Sequence, residues 1–435
     1  MNSLLSLALV LLGAANTGAF EQIGNLSSTF RTGADAMAVV AVTAKDSCQA
    51  TGAARVTAAA IWVDGRYGHE LLLLPGSGRE TYDSLVGPLT AGQHTVELRP
   101  SEYWKAVPCL RAEGMAVAGV EPSEPRHTLL RYAPVLELRA DTVGEQTDVP
   151  LFEYVESDLQ AAALRLRYTV VFTNEDGGTQ TRALFARWGR TTDIEQVYEA
   201  WLREGRVARE EFQGPDHEVR AFKGRRLGAA PVLLVATMNN MVTDRGRGIA
   251  AVRPVPDPVD LAGATRESTL DSRPWAYRAM QAEMAAEGRI AAGAPQDDHW
   301  MRVAPDPRDH VYFEAKLTLD HAVAAAWVQD ASGRRYWSHY ELESLALDRN
   351  GWVRTAVAVG PNPGSKVVQA GWACIKPAKE MVTGTCAIDA TRAFAFGDNW
   401  APGANLVAPA RLELHAGEEA VIKGREDSPE PHRPL

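Results

Sequence analysis

Several absences narrow the chain before any feature of it is read. Its 435 residues contain no G-x-S-x-G, no H-E-x-x-H and no Walker loop, which removes the serine hydrolases, zinc proteases and kinases built on those patterns. The segment Gly246 to Ala251 loosely matches dinucleotide-binding glycines, but Pro254 and Pro256 follow and deny it the helix that would hold a pyrophosphate. There is no Lys/Arg block, and the formal net charge is −10. The attraction that dominates phosphate-backbone binding is therefore missing, and nucleic acid is not an expected partner. Beyond the N-terminus no apolar run is long enough for a membrane-spanning helix, so no stable membrane span is expected.

What is present points to a folded chain that leaves the cytosol. Hydrophobic residues make up 46% and charged residues 23%, ordinary values for a globular protein. The apolar run Leu4 to Ala15 is too short to cross about 30 Å of hydrocarbon. With Thr17 and Ala19 before Phe20 it reads as a cleaved signal peptide over 1–19, the competing reading being a buried N-terminal helix or anchor. The four cysteines form an even set, as an oxidising compartment would pair them. Neighbourhood favours Cys48 with Cys109 and Cys374 with Cys386, and the lack of any CxxC speaks against zinc. Arg outnumbers Lys 37 to 8, a hint of a bacterial source, so the expected location is periplasm or medium.

Along the chain, short apolar runs alternate with turn signals. From about Ala36 to Ala118 they predict an immunoglobulin-like β-sandwich within 20–120, with Asp64-Gly65 as a hairpin turn. The Pro-rich stretch 119–127 reads as a boundary. A larger antiparallel β-sandwich or jelly roll is expected over 128–410, with one or two helices, and a disordered tail over 417–435. One helix is expected after Ser272, with Pro in its first turn and Gly288 at its end. The fold class expected is all-β.

The densest group of chemical side chains lies between 173 and 195. Glu175 and Asp176 sit in what reads as a hairpin loop ahead of a strand-like run, Thr181 to Arg187. Thr192 and Glu195 fit a capping box, with Asp193 in the first turn of a helix whose apolar residues are Ile194, Val197, Tyr198, Trp201 and Leu202. A strand over 193–202 is the competing reading. In a functional reading, Glu175, Asp176, Asp193 and Glu195 supply the paired carboxylates of a glycosidase or lyase. Trp188 offers a face for a sugar ring, and Arg187 and Arg190 grip a uronate or phosphate.

Two further groups are weaker. Asn239, Asn240 and Asp244 follow a buried-looking strand and present oxygens suited to sugar hydroxyls or calcium, the one cofactor considered. Asp-His pairs at 216/217, 298/299, 309/310 and 320/321 read as surface histidines at strand ends, and six tryptophans of the last third read as core. The leading expectation is a secreted or periplasmic, non-catalytic β-sandwich protein that binds carbohydrate or an envelope component. The alternative is an extracytoplasmic polysaccharide-acting enzyme using the carboxylates of 174–195.

Overall fold

The computed structural model describes residues 26–46, 56–74, 78–105, 110–175, 179–291 and 302–422. The expected signal segment, Cys48, Cys109 and the bridge between them, Asp176, His299 and Trp300 lie outside the described residues. The molecule is all-β, with strands gathered into five sheets. It forms two compact units: the described residues of 1–177 together with 192–260, and those of 178–191 together with 261–435.

In the first unit the strands expected of an N-terminal sandwich divide between two sheets. Arg79–Leu89, Ala36–Asp46 and Leu110–Val120 form a three-stranded antiparallel sheet. Ser27–Thr32, Gly92–Pro100, Thr57–Val63 and Arg66–Leu73 lie side by side in the second. Asp64 and Gly65 both take positive φ, 50° and 74°, the conformation a two-residue hairpin requires. This second sheet continues past Arg66–Leu73 into Ala250–Val252, Val135–Leu138, Ala230–Val235 and Arg226–Leu227, with Val242–Thr243 beside Ala230–Val235. Two of its pairings are parallel, Val252 with Glu70 and Val232 with Val135. A six-stranded sheet completes the unit, centred on Pro150–Gln160, Ala163–Phe172 and Asp193–Arg203.

The second unit is a sandwich of two four-stranded sheets. One has the order Gly351–Ala358, His310–Asp320, Thr385–Phe394, Ala410–His415; the other Arg335–Trp337, Val323–Gln329, Gln369–Ile375, Glu419–Ile422. Thr385–Phe394 buries alternate residues over its first half, which places Cys386, Ile388 and Ala390 in the core. Phe313 and Trp372 meet edge to face at 5.9 Å between ring centroids. Cys374 and Cys386 are bridged, each from a different sheet, so the cystine staples the two layers. Of the six tryptophans read as core, Trp327, Trp372 and Trp400 are buried, while Trp337 and Trp352 are half-buried.

Four local expectations need correction. His310, expected at the surface, is fully buried at the start of its strand. Residues 181 to 187 are not a strand: Thr181–Trp188 is an α-helix, rich in Ala, Leu and Arg, and closed by Gly189 in the left-handed conformation at φ 59°. Nor does a capped helix follow Thr192. Asp193–Arg203 is a strand, paired antiparallel with Ala163–Phe172, because Ile194, Val197, Tyr198 and Trp201 fill a pleated surface better than a helix face. Within the expected disordered tail, Glu419–Ile422 pairs with Gln369–Ile375, since burying Ile422 favours an edge strand there; residues 423–435 lie outside the described ones. The helix after Ser272 is present as Pro274–Ala286, with Gly288 at φ 69°.

Candidate functional site

The residues singled out between 173 and 195 fall in different units. Asp193 opens its strand with only 3% of its surface exposed. Its Oδ2 accepts a hydrogen bond from Asn240 Nδ2 at 3.0 Å, and the same amide donates to the Asn174 carbonyl at 2.9 Å. The turn Thr237 to Met241 presents that amide because Asn240 adopts φ 58° and Thr237 Oγ1 accepts the Met241 N–H at 3.1 Å. The structure thus joins two sequence candidates, Asp193 and Asn240, in a buried polar cluster of the first unit. Glu175 and Glu195 are half-buried, Glu195 within the strand beside Val170.

Arg187, Trp188 and Arg190 belong to the second unit. Arg187 donates to the Ser344 carbonyl at 2.9 Å. Arg190 is buried and donates to Glu267 Oε1 at 3.1 Å. Against the burial that pushes it up, the Arg190, Arg266 and Arg354 guanidiniums hold the Glu267 carboxyl below its ordinary value. Trp188 is half-buried, with the Arg349 and Arg190 guanidiniums 5.5 and 5.9 Å from its ring centroid. These three side chains are occupied in packing their own unit.

Asn239 and Asp244 lie near Asn240 in sequence but serve other partners. Asn239 Oδ1 accepts from Thr237 Oγ1 at 2.6 Å, and Asp244 Oδ2 accepts the Lys223 N–H at 2.8 Å. The three do not converge as a calcium set, and no group of three or more His, Cys, Asp or Glu side chains suited to a metal ion occurs among the described residues.

Asp244 instead marks an open cleft of about 620 Å³, lined by Lys223, Gly224, Arg225, Asp244, Arg245, Gly246 and Arg247. Two loops build it, one between Val219–Ala221 and Arg226–Leu227, the other between Val242–Thr243 and Ala250–Val252. Glu137, on the neighbouring strand Val135–Leu138, pins both: its Oε2 accepts from Arg225 Nη2 at 2.7 Å and from the Gly248 N–H at 3.0 Å. Arg225 also donates across the cleft to the Gly246 carbonyl at 3.2 Å. Gly224 is required by contact, because a Cβ there would lie 2.6 Å from the Asp244 carbonyl oxygen.

Four cations line this cleft against one carboxylate, on a chain whose net charge is −10. Lys223, Arg245 and Arg247 are exposed, and none forms an ion pair among the described residues. Such an arrangement can grip carboxylate, sulfate or phosphate oxygens through guanidinium forks and an ammonium. The sequence does carry a signal for it: the tripeptides Lys-Gly-Arg at 223–225 and Arg-Gly-Arg at 245–247, too short to register as a basic block.

No protein-family model matches the chain, and no curated protein matches it. Among solved structures the chain is similar to NLPPya in complex with mannosamine, at 11% identity over 37% of this chain and 80% of that one, with a TM-score of 0.23.

Proposed function

We propose that the protein is an extracytoplasmic, non-catalytic binding protein for acidic polysaccharide, and that the cleft of Lys223, Arg225, Arg245 and Arg247 is where it holds the polymer's anionic groups. The observation that carries this reading is the local reversal of charge: three cations, Lys223, Arg245 and Arg247, without ion-pair partners among the described residues, around a cleft shaped by two glycines. Its open form suits a polymer passing over the surface better than a small molecule enclosed on all sides. The signal-like N-terminus and the Cys374–Cys386 bridge support a location outside the cytosol. The enzymatic alternative loses ground because Asp193 is buried and bonded to Asn240, where a polymer does not reach it.

Affinity electrophoresis in polygalacturonate and in dextran sulfate tests the proposal. Wild type should be retarded at low salt and released as salt rises, since each neutralised anion returns its counterions. The double variant Arg245→Glu with Arg247→Glu should bind roughly tenfold more weakly or worse. Equal retardation of variant and wild type would rule the cleft out, and tighter binding to duplex DNA than to either polymer would overturn the ligand class.

A further inference from the structure

The exposed aromatic side chains of the described residues are two, Tyr67 and Tyr103, at 41% and 42% exposure, and they are neighbours with ring centroids 6.4 Å apart. Their position follows from strand register in the first unit. Trp62 pairs with Tyr67 on one side and with Glu97 on the other; two residues along, Ala60 pairs with Glu70 and Arg99. Residues aligned across neighbouring strands point to the same face, so Glu97, Trp62, Tyr67, Arg99, Ala60 and Glu70 share one surface. The Trp62 and Tyr67 rings meet edge to face at 6.1 Å. The Arg99 guanidinium lies 4.1 Å from the Trp62 centroid and donates through Nε to Glu97 at 2.9 Å. After the strand ends at Pro100, Ser101 Oγ accepts the N–H groups of Tyr103 and Trp104, both at 3.0 Å, and so fixes the turn that brings Tyr103 to Tyr67.

Behind the rings sits a buried carboxyl group. Glu70 is 1% exposed, and its Oε1 accepts from the Tyr67 hydroxyl at 3.1 Å. Burial pushes this carboxyl up to about 7, with the Ser101 and Tyr67 hydroxyls opposing. Enclosed in this way, it holds the Tyr67 hydroxyl and so orients the ring.

We propose that Tyr67, Tyr103 and Trp62, with the Tyr67 hydroxyl held from behind by the buried Glu70, form a second saccharide site that takes the ring of a neutral pyranose in a polysaccharide. The C–H face of a pyranose packs on aromatic rings, and its rim of hydroxyls can meet adjacent exposed polar groups such as Glu102. Glu97 and Glu102 outnumber Arg99 around the rings, which disfavours an acidic sugar and separates this site chemically from the cationic cleft. No lining residue is shared between the two, and this inference does not depend on the cleft binding anything.

The test uses the full-length protein and affinity electrophoresis in galactomannan, hydroxyethylcellulose and laminarin, run at a salt concentration that silences charge-driven binding. Wild type and the Arg245→Glu, Arg247→Glu variant should be retarded equally by at least one of these polymers. Tyr67→Ala and Tyr103→Ala, both surface truncations, should each weaken that retardation roughly fivefold, with binding to dextran sulfate unchanged. Tyr103→Ala leaves the Tyr67 to Glu70 bond intact, so it separates ring stacking from any disturbance of the strand. Failure of every neutral polymer to retard wild type, or retardation of both tyrosine variants like wild type, would overturn the site. Either result leaves the cleft reading standing, and loss confined to acidic polymers in the cleft variant leaves this site standing.

Discussion

Glu314 is held between two guanidiniums. Arg354 reaches its Oε1 from Nε at 2.9 Å and Nη2 at 2.6 Å, Arg392 its Oε2 at 2.5 Å, and Thr265 donates to Oε1 at 2.9 Å. Arg354 also meets Asp271 at 2.8 Å and the Tyr277 hydroxyl at 2.8 Å, so the helical segment carrying Asp271 and Tyr277 is locked to the sheet by a saturated polar network. Burial alone would push the Glu314 carboxyl up; Arg354 and Arg392 outweigh it and bring the group down to about 2, from an ordinary 4.5. The ionised form is thus favoured by folding, a contribution complete above about pH 4.5 and lost as pH falls toward 2. Glu314→Gln should cost roughly 3 kcal/mol at neutral pH, because it leaves buried guanidinium charge short of a partner. In urea unfolding the gap from wild type should close as the pH approaches 2, and a gap that stays constant would show that charge is not its source. None of this network stands out in sequence: Arg354 and Glu314 read as polar positions on alternating strands, and only pairing in register brings them together.

Among the elements, the helix Thr181–Trp188 shows where local pattern misleads. Its Thr, Phe and Trp suit a strand, and its single buried face becomes visible only against the second unit. There Phe185 stacks on His310 with centroids 4.2 Å apart, and Thr355 Oγ1 donates to the Ala186 carbonyl at 2.6 Å. Gly189 stops the helix in the left-handed region. A side chain there would lie 2.6 Å from Arg354 Cγ and 3.1 Å from the Thr355 nitrogen. Gly189→Ala should therefore destabilise the second unit by about 2 kcal/mol, by adding conformational strain to overpacking. Thermal unfolding would show it, whereas an unchanged midpoint would mean that Arg354 yields without cost. Asp193–Arg203 misled in the opposite direction. A capping-box spacing is a two-residue signal, and eleven residues of paired strand outweigh it. The cationic cleft was missed for a related reason: each basic tripeptide is unremarkable alone, and the Glu137 anchor that joins them comes from a distant strand.

For the molecule as a whole, strand composition and the all-β class were legible because alternation and turn residues are local properties. The assembly of strands was not, since pairings such as Val252 with Glu70 join segments far apart in the chain. The Cys374–Cys386 bridge was legible as a neighbouring pair, and its structural role follows from its two ends lying in different sheets. Replacing both cysteines by serine should lower the stability of the second unit by about 3 kcal/mol, as expected for a short closed loop, with hydrogen exchange in the first unit unaltered. Accelerated exchange throughout both units would instead mean that they unfold as one.

The chain crosses between its two units three times, at 177/178, 191/192 and 260/261. A single proteolytic nick after Asp260 therefore does not liberate the C-terminal half: the N-terminal fragment still carries the Thr181–Trp188 helix, which remains seated through Phe185 and Ala186 in the body it was cut from. The chain is in this way kept together at that crossing by noncovalent attachment as well as by its backbone, a property that would serve it under the proposed location outside the cytosol.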